Sequence, residues 1–392
     1  MFSKIQNSYF SYFLIYNFYY AAWSFLSTLI SVYLLDKGFG AASVGFVVSA
    51  GYLASMICQS FIGMLHDRIG IKKVNTVLFS AAILAAIGFI TSQDLTGITI
   101  CYSLILVAMN GANPVMDKVA AESPFPYGRI RIWGTIGYAV ATQLTGILYE
   151  KVSPSSVYIA FAASVFVSLI GFSLITQTSA GHSKESPAPL KKQQDKKQDS
   201  LLKNGSFLYY LTIATIYYGM VTVAETFIPA MFVDKGLGAS TASTILSIAV
   251  FCEAPLVFFA GAFMDRIPNK VLLVGVLSAF CVEYAVYALG LPFVILVPVT
   301  LIVKHPMGMV YGMTNLKIVT SVVDEDHQIT ALALIATCKN LSTIVCQNAA
   351  GRILDNSGYS MLFAAIFACS AVALILAVFF KVDSGNDKKL FS

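Results

Sequence analysis

Asp36-Lys37-Gly38-Phe39-Gly40-Ala41 returns as Asp234-Lys235-Gly236-Leu237-Gly238-Ala239, and Gly63-Met64-Leu65-His66-Asp67-Arg68-Ile69 returns, at the same interval, as Gly261-Ala262-Phe263-Met264-Asp265-Arg266-Ile267. Two separated matches at one offset are hard to obtain by chance. They divide the chain into two parallel halves on one plan, a repeat arrangement met among polytopic membrane folds. The sequence around them is strongly apolar: of 392 residues, 57% are apolar and 11% charged. Soluble domains carry roughly 25% charged residues, so most of this surface is not wet. Stretches of about 20 apolar residues recur along the chain, each long enough to cross a hydrocarbon core of about 30 Å as a helix. Barrel strands are excluded, since they run about 10 residues and alternate.

The expected fold is therefore an all-α membrane protein with twelve transmembrane helices in two pseudo-symmetric six-helix bundles. The spans are read at 9–35, 42–65, 74–92, 97–121, 130–150 and 155–176, then at 206–233, 240–264, 270–290, 292–318, 328–351 and 358–381. The first run is too long for a signal-peptide core and is read as an uncleaved span. The domains follow: 1–176 is the first bundle, 177–205 a cytoplasmic linker and 206–392 the second bundle. The linker is polar and carries Lys184, Lys191, Lys192, Lys196, Lys197 and Lys203. Lysine and arginine gather on the side of this linker, which by the positive-inside rule places both termini in the cytoplasm and the protein in the cell membrane. The net charge of +5 then reflects orientation, not nucleic-acid binding. The seven cysteines fall in apolar segments without CxxC or Cys/His clusters, so neither a metal nor another cofactor is expected.

Charge inside a span is costly, about 2.5–3.5 kcal/mol or more at the bilayer centre, and usually faces a cavity. Seven residues stand out: Asp117, Arg131, Glu225, Glu253, Glu283, Lys304 and Lys339. Five lie in the second half, so the halves differ in chemistry. Arg131 offers forked donors and Asp117 offers acceptors, a combination able to hold a polyol. Glu253, alone among apolar neighbours, is a candidate proton carrier. Asn113, Trp23 and Tyr20 could line the same cavity. In the repeated loop, Gly63 and Gly261 permit close helix approach, while Asp67, Arg68, Asp265 and Arg266 can pair with charges or helix ends.

The linker, the spans and the Gly63–Lys73 loop resemble the major facilitator superfamily. That resemblance implies two bundles around a central cavity that opens to each side in turn. Pro126-Tyr127-Gly128-Arg129-Ile130-Arg131-Ile132-Trp133-Gly134 is similar to the signature of its oligosaccharide–proton symporter, or lactose permease-like, group and of related phenylpropionate permeases. The resemblance implies that Arg131 pairs with Asp117 and binds sugar hydroxyls, that Tyr138 stacks on the sugar, and that Glu253 and His305 contact solute. It also implies an interhelical ion pair between Glu225 and Lys339. The chain departs from the group in having Gly308 where a proton-carrying glutamate stands, and Glu283 near the place of a basic residue. Lys304 could hold Glu283, Glu253 or a solute carboxylate. Proton coupling is therefore assigned to the set Glu253, Glu283, Lys304 and His305.

The function expected is proton-coupled symport of a small hydrophilic solute, foremost an oligosaccharide or glycoside, by a monomer whose partners are solute, proton and bilayer. Uptake of an aromatic acid or nucleoside is the alternative. Drug or lipophile efflux is a third possibility, and the absence of proline from the fifth span counts against it. No nucleotide-binding loop or nucleophile triad points to an enzyme.

Overall fold

The computed structural model describes residues 7–175, 201 and 203–381, and every regular element among them is helical. The 177–205 linker lies almost wholly outside the described residues, as do both chain ends. By their contacts the residues form two compact units. The first takes the described part of Met1–Thr178 together with Glu225–Phe251 and Gln347–Asn356; the second takes the described part of Ser179–Ala224 with Cys252–Cys346 and the described part of Ser357–Ser392.

The first unit begins with α1 (Tyr9–Ser27) and α2 (Ile30–Asp36), followed by α3 (Ala41–Ile69), α4 (Ile71–Thr91), α5 (Leu95–Ala121), α6 (Tyr127–Lys151) and α7 (Ser156–Leu174). α1 is the central element, packed on α6 and α7, while α5 packs on α3 and α4. Two buried tyrosines tie α1 to α5: Tyr16 donates to the Met116 carbonyl at 2.9 Å and Tyr19 to the Met109 carbonyl at 2.7 Å. These carbonyls flank Pro114, which has no N–H to continue the helical ladder. Glycine sets how closely α1 meets α6: a Cβ on Gly137 would overlap the Asn17 carbonyl.

Across the rest of the chain run α8 (Gly205–Asp234), α9 (Ala239–Phe251), α10 (Glu253–Phe258), α11 (Ala260–Phe263), α12 (Asn269–Ala288), α13 (Phe293–Val322) and α14 (Gln328–Phe379). Within the second unit α13 packs on α12 and α10. The eighth span, expected to be continuous, is interrupted at Cys252 and Phe259. Pro255 supplies the reason for the first break: it cannot donate to the carbonyl of Phe251, so the ladder stops there. Spans eleven and twelve are two helices within the 52 residues of α14, divided at Gly358, whose φ of 76° and ψ of 178° are not helical. A straight helix of that length would measure about 78 Å, far beyond a bilayer, so Gly358 divides two membrane-length arms.

Ten segments among the described residues are long and apolar enough to cross a membrane, the last of them the doubled Glu325–Phe379 run. α6 is not among them, yet its 25 residues exceed the about 20 that a crossing needs. Each expected span thus has a helical counterpart.

The first sequence repeat proves to be a helix stop. Gly38 N–H reaches Leu35 O at 2.9 Å and Phe39 N–H reaches Leu34 O at 3.1 Å; Gly236 and Leu237 do the same to Val233 at 2.9 Å and Phe232 at 3.0 Å. This is the Schellman arrangement, which needs a left-handed residue, and Gly38 and Gly236 supply φ of 89° and 96°. The second repeat is less alike than expected. In the first half Asp67 and Arg68 belong to the last turn of α3, which Gly70 alone joins to α4; in the second half Asp265 and Arg266 lie in a turn after α11. A Cβ on Gly63 would meet no atom of the described residues within 4 Å. His66, expected in a loop, is helical and buried, with Nε2 3.0 Å from Asn75 Oδ1 on α4.

Gly358→Ala forces a side chain into backbone space that is essentially glycine's own, at a cost of about 1–3 kcal/mol. A lower midpoint of thermal unfolding in detergent is the expected result.

Candidate solute and proton sites

In the first unit, the cluster around Arg131 grows from the α1–α6 contact. Gly134 lacks the Cβ that would press on the Tyr20 ring at 2.8 Å and on Arg131 Nη1 at 3.3 Å. Tyr20 can therefore lie against α6, and the Arg131 guanidinium sits 5.2 Å from its ring centroid. A cation over a tyrosine face is attracted by the ring quadrupole. Tyr16 and Tyr19 flank Tyr20 with centroids at 5.6 and 5.3 Å. Asn113 Oδ1 lies 3.5 Å from the Tyr19 hydroxyl. Tyr138 meets the Ser27 hydroxyl at 3.4 Å, and Ser27 in turn donates to the Trp23 carbonyl at 2.8 Å. The structure thus places Arg131, Tyr20, Asn113, Tyr138 and Trp23 on the neighbouring elements α1, α5 and α6. Asp117 is on α5, three residues after Pro114; its side chain lies outside the described residues.

In the second unit, Glu283 on α12 is 1% exposed. The Tyr287 hydroxyl lies 2.6 Å from Glu283 Oε1 and 2.7 Å from Thr300 Oγ1 on α13, and Thr300 Oγ1 lies 2.8 Å from the Leu296 carbonyl. A hydroxyl carries one proton and a carbonyl none. Three contacts need three protons, and Tyr287 and Thr300 supply two. A protonated Glu283 supplies the third and completes a chain from acid to phenol to hydroxyl to backbone carbonyl. An ionised Glu283 leaves the chain one hydrogen bond short. Lys304 stands one turn beyond Thr300 on α13, and His305 follows it. Glu253 opens α10, directly after the break at Cys252. Gly308 is on α13 where a Cβ would be 4.0 Å from the Tyr217 hydroxyl. Glu225 falls in the first unit and Lys339 in the second; the Lys339 ammonium is 5.2 Å from the Tyr218 ring.

Sequence reasoning missed Tyr287 and Thr300, which spacing alone does not tell from packing residues. It also missed Lys317, 1% exposed on α13, which the expected end of the tenth span at 318 put at the membrane surface. Its ammonium donates to the Met264 carbonyl at 2.6 Å and to Ile267 O at 3.5 Å, satisfying carbonyls just after α11. The signal available was a lysine amid Leu316, Ile318 and Val319.

A sequence model described as the MFS_1 like family matches residues 9–365. The chain belongs to this family. It is a multi-pass membrane protein of the major facilitator superfamily, a secondary transporter and not an enzyme. Among curated proteins similar to this MFS_1-like chain is the maltose permease of Geobacillus stearothermophilus, 23% identical over 93% of this chain and 92% of that protein. The sucrose permease of Escherichia coli is 21% identical over 96% of this chain and 94% of its own length. Among solved structures, a mutant of the nucleoside transporter NupG superposes with a TM-score of 0.84 at 16% identity, covering 95% of this chain and 99% of that one. The likeness to NupG bears on the fold.

Lys317→Met removes the only charged donor from the Met264 contact while keeping side-chain length. A buried carbonyl left without its partner costs about 1–3 kcal/mol, so the thermal midpoint should fall while Lys118→Met, at the exposed partner of Glu122, leaves it unchanged.

Proposed function

We propose that this transporter imports a small hydroxyl-rich solute, an oligosaccharide or glycoside, together with a proton, by alternating access. The observation that carries the solute class is Arg131 held over Tyr20, with Asn113 and Tyr138 on the elements beside it. A guanidinium offers paired donors to vicinal hydroxyls, and the aromatic faces of Tyr20, Tyr138 and Trp23 suit the apolar side of a sugar ring. Asp117, three residues past Pro114, supplies acceptors; Glu253 and His305 are the candidate solute contacts of the second half. The maltose and sucrose permeases among its relatives support this class.

Glu283 is the proton carrier in this reading. It is buried, and gaining a proton completes its chain to Tyr287 and Thr300 while losing one breaks a link. Lys304 provides a positive neighbour that the ionised acid can answer. The group's usual acid is absent, with Gly308 in its place. The Asp67-Arg68 and Asp265-Arg266 units work at the cytoplasmic ends of the spans, the face on which both termini lie, and the protein acts as a monomer. A nucleoside is the second reading, because the Tyr20–Arg131 pair would equally stack a base and NupG shares the fold.

Proteoliposomes with an imposed proton gradient separate these. Gradient-driven accumulation of maltose or sucrose is expected, lost with Arg131→Ala together with binding. Uridine accumulation in place of either sugar would favour the second reading. Glu283→Gln mimics the protonated acid, since the amide can donate to Tyr287. It should abolish gradient-driven accumulation by tenfold or more while leaving exchange at equal solute concentrations nearly intact. Accumulation that ignores the gradient in the unaltered protein would remove the coupling claim.

A further inference from the structure

Within the first unit, two acids cap helices of the opposite sequence half in the same way. Asp355, on α14, accepts from the backbone N–H of Ala41 at 2.6 Å through Oδ1 and of Ala42 at 2.8 Å through Oδ2, the first residues of α3. Glu150, on α6, accepts from the N–H of Ser240 at 2.8 Å, in the first turn of α9. α3 and α9 are the second helices of their halves, and each begins just after the repeated Asp-Lys-Gly-x-Gly-Ala turn. Each acid therefore belongs to one half and caps the other. Four residues before each acid stands a glycine, Gly146 and Gly351, and that spacing puts both on one helix face. A Cβ on Gly351 would overlap the Ala41 carbonyl, and one on Gly146 would come within 2.6 Å of the Ala239 carbonyl and of Ser243 Cβ. At the other side of the contact, a Cβ on Gly40 would lie 3.1 Å from the Asp355 carboxylate and one on Gly238 2.9 Å from that of Glu150. Farther along the α6–α9 seam, Gln143 donates to Thr244 at 2.9 Å and Ser247 to the Ala139 carbonyl at 2.7 Å.

We propose that Gly146-x-x-x-Glu150 and Gly351-x-x-x-Asp355 are a pair of gate clasps: the glycine brings two helices into backbone contact, and the acid then closes the seam by capping the facing helix. A carboxylate at a helix start meets unpaired N–H donors and the positive end of the dipole, so its hydrogen bonds are charge-assisted. The bonds hold only while the two helices touch, so both clasps release when the seam parts. They sit at the ends of α3 and α9 remote from the Asp67-Arg68 and Asp265-Arg266 units. The gate is thus at the end opposite the lysine-rich side of the chain, and it requires no knowledge of the solute.

Ser243→Cys supplies the probe. Ser243 is fully buried in this seam, and its hydroxyl has no hydrogen-bond partner, so sulfur substitutes without breaking a contact. The full-length protein in lipid nanodiscs is treated with N-ethylmaleimide, and modification at position 243 is followed by peptide mass spectrometry. Adding Glu150→Gln and Asp355→Asn together should raise the rate at least tenfold, with each single change intermediate; Glu122→Gln should leave it unchanged. Should the double variant fail to elute as a single species, the single variants carry the test. Gly351→Ala, which wedges the companion α3–α14 seam without removing charge, should also accelerate labelling, because the two seams part together. Acceleration by Gly351→Ala with unaltered rates in both neutralised single variants would overturn the clasp role and leave the seam to packing alone.

Discussion

In hydrocarbon no backbone N–H or C=O finds a partner unless the chain supplies one, and each unpaired group costs several kcal/mol. The helices of this protein answer that constraint along their length. The informative places are where they cannot: at ends, at prolines and at glycine bends. Tyr16 and Tyr19 each add a donor to a carbonyl inside α5, on either side of Pro114. Lys317 serves the carbonyls after α11. Asp355 and Glu150 serve the N–H groups that open α3 and α9. At each of these helix ends a side chain from another element supplies the partner that the helix itself lacks.

The same constraint separates scaffold from chemistry. Groups that satisfy backbone are pinned and have little freedom to bind anything else. Arg131 differs: its guanidinium lies 5.2 Å from the Tyr20 ring centroid, and its forked donors are of the kind that hold vicinal hydroxyls. Glu283 differs in another way. Its chain through Tyr287 and Thr300 ends on a carbonyl, so the number of hydrogen bonds made depends on whether the acid holds its proton. Under the proposed function the first cluster holds hydroxyls and the second registers a proton; Arg131 belongs to one unit of the protein and Glu283 to the other.

Glycine is the second recurring device, used for two unrelated reasons. At Gly38, Gly236 and Gly358 the backbone is left-handed, and a side chain there would be strained whatever its surroundings. At Gly45, Gly137, Gly146 and Gly351 the backbone is ordinary, and what matters is the neighbour that a Cβ would strike. The first kind terminates or bends helices. The second decides which helix pairs come into backbone contact, and therefore where a moving structure can close.

Periodicity and composition were enough to find the spans, because a bilayer leaves a chain of apolar segments one solution. The offset repeat was enough to find two halves; that its Asp-Lys-Gly element stops a helix is seen in the left-handed backbone of Gly38 and Gly236. Seven charges in apolar surroundings were enough to nominate Arg131 and Glu283. Several things were not legible. Pro255 stands in the sequence, yet that it would break the eighth span at Cys252 depends on what else pairs the freed carbonyl. Lys317 looked interfacial because its partners are carbonyls fifty or more positions away. Tyr287 and Thr300 are ordinary residues until α12 and α13 meet. Glu150 and Asp355 fall at the last position of one expected span and between two others, and nothing local marks them as caps. Local chemistry sets how each helix starts, stops and bends; which orphaned backbone group meets which distant side chain is settled only when the helices pack.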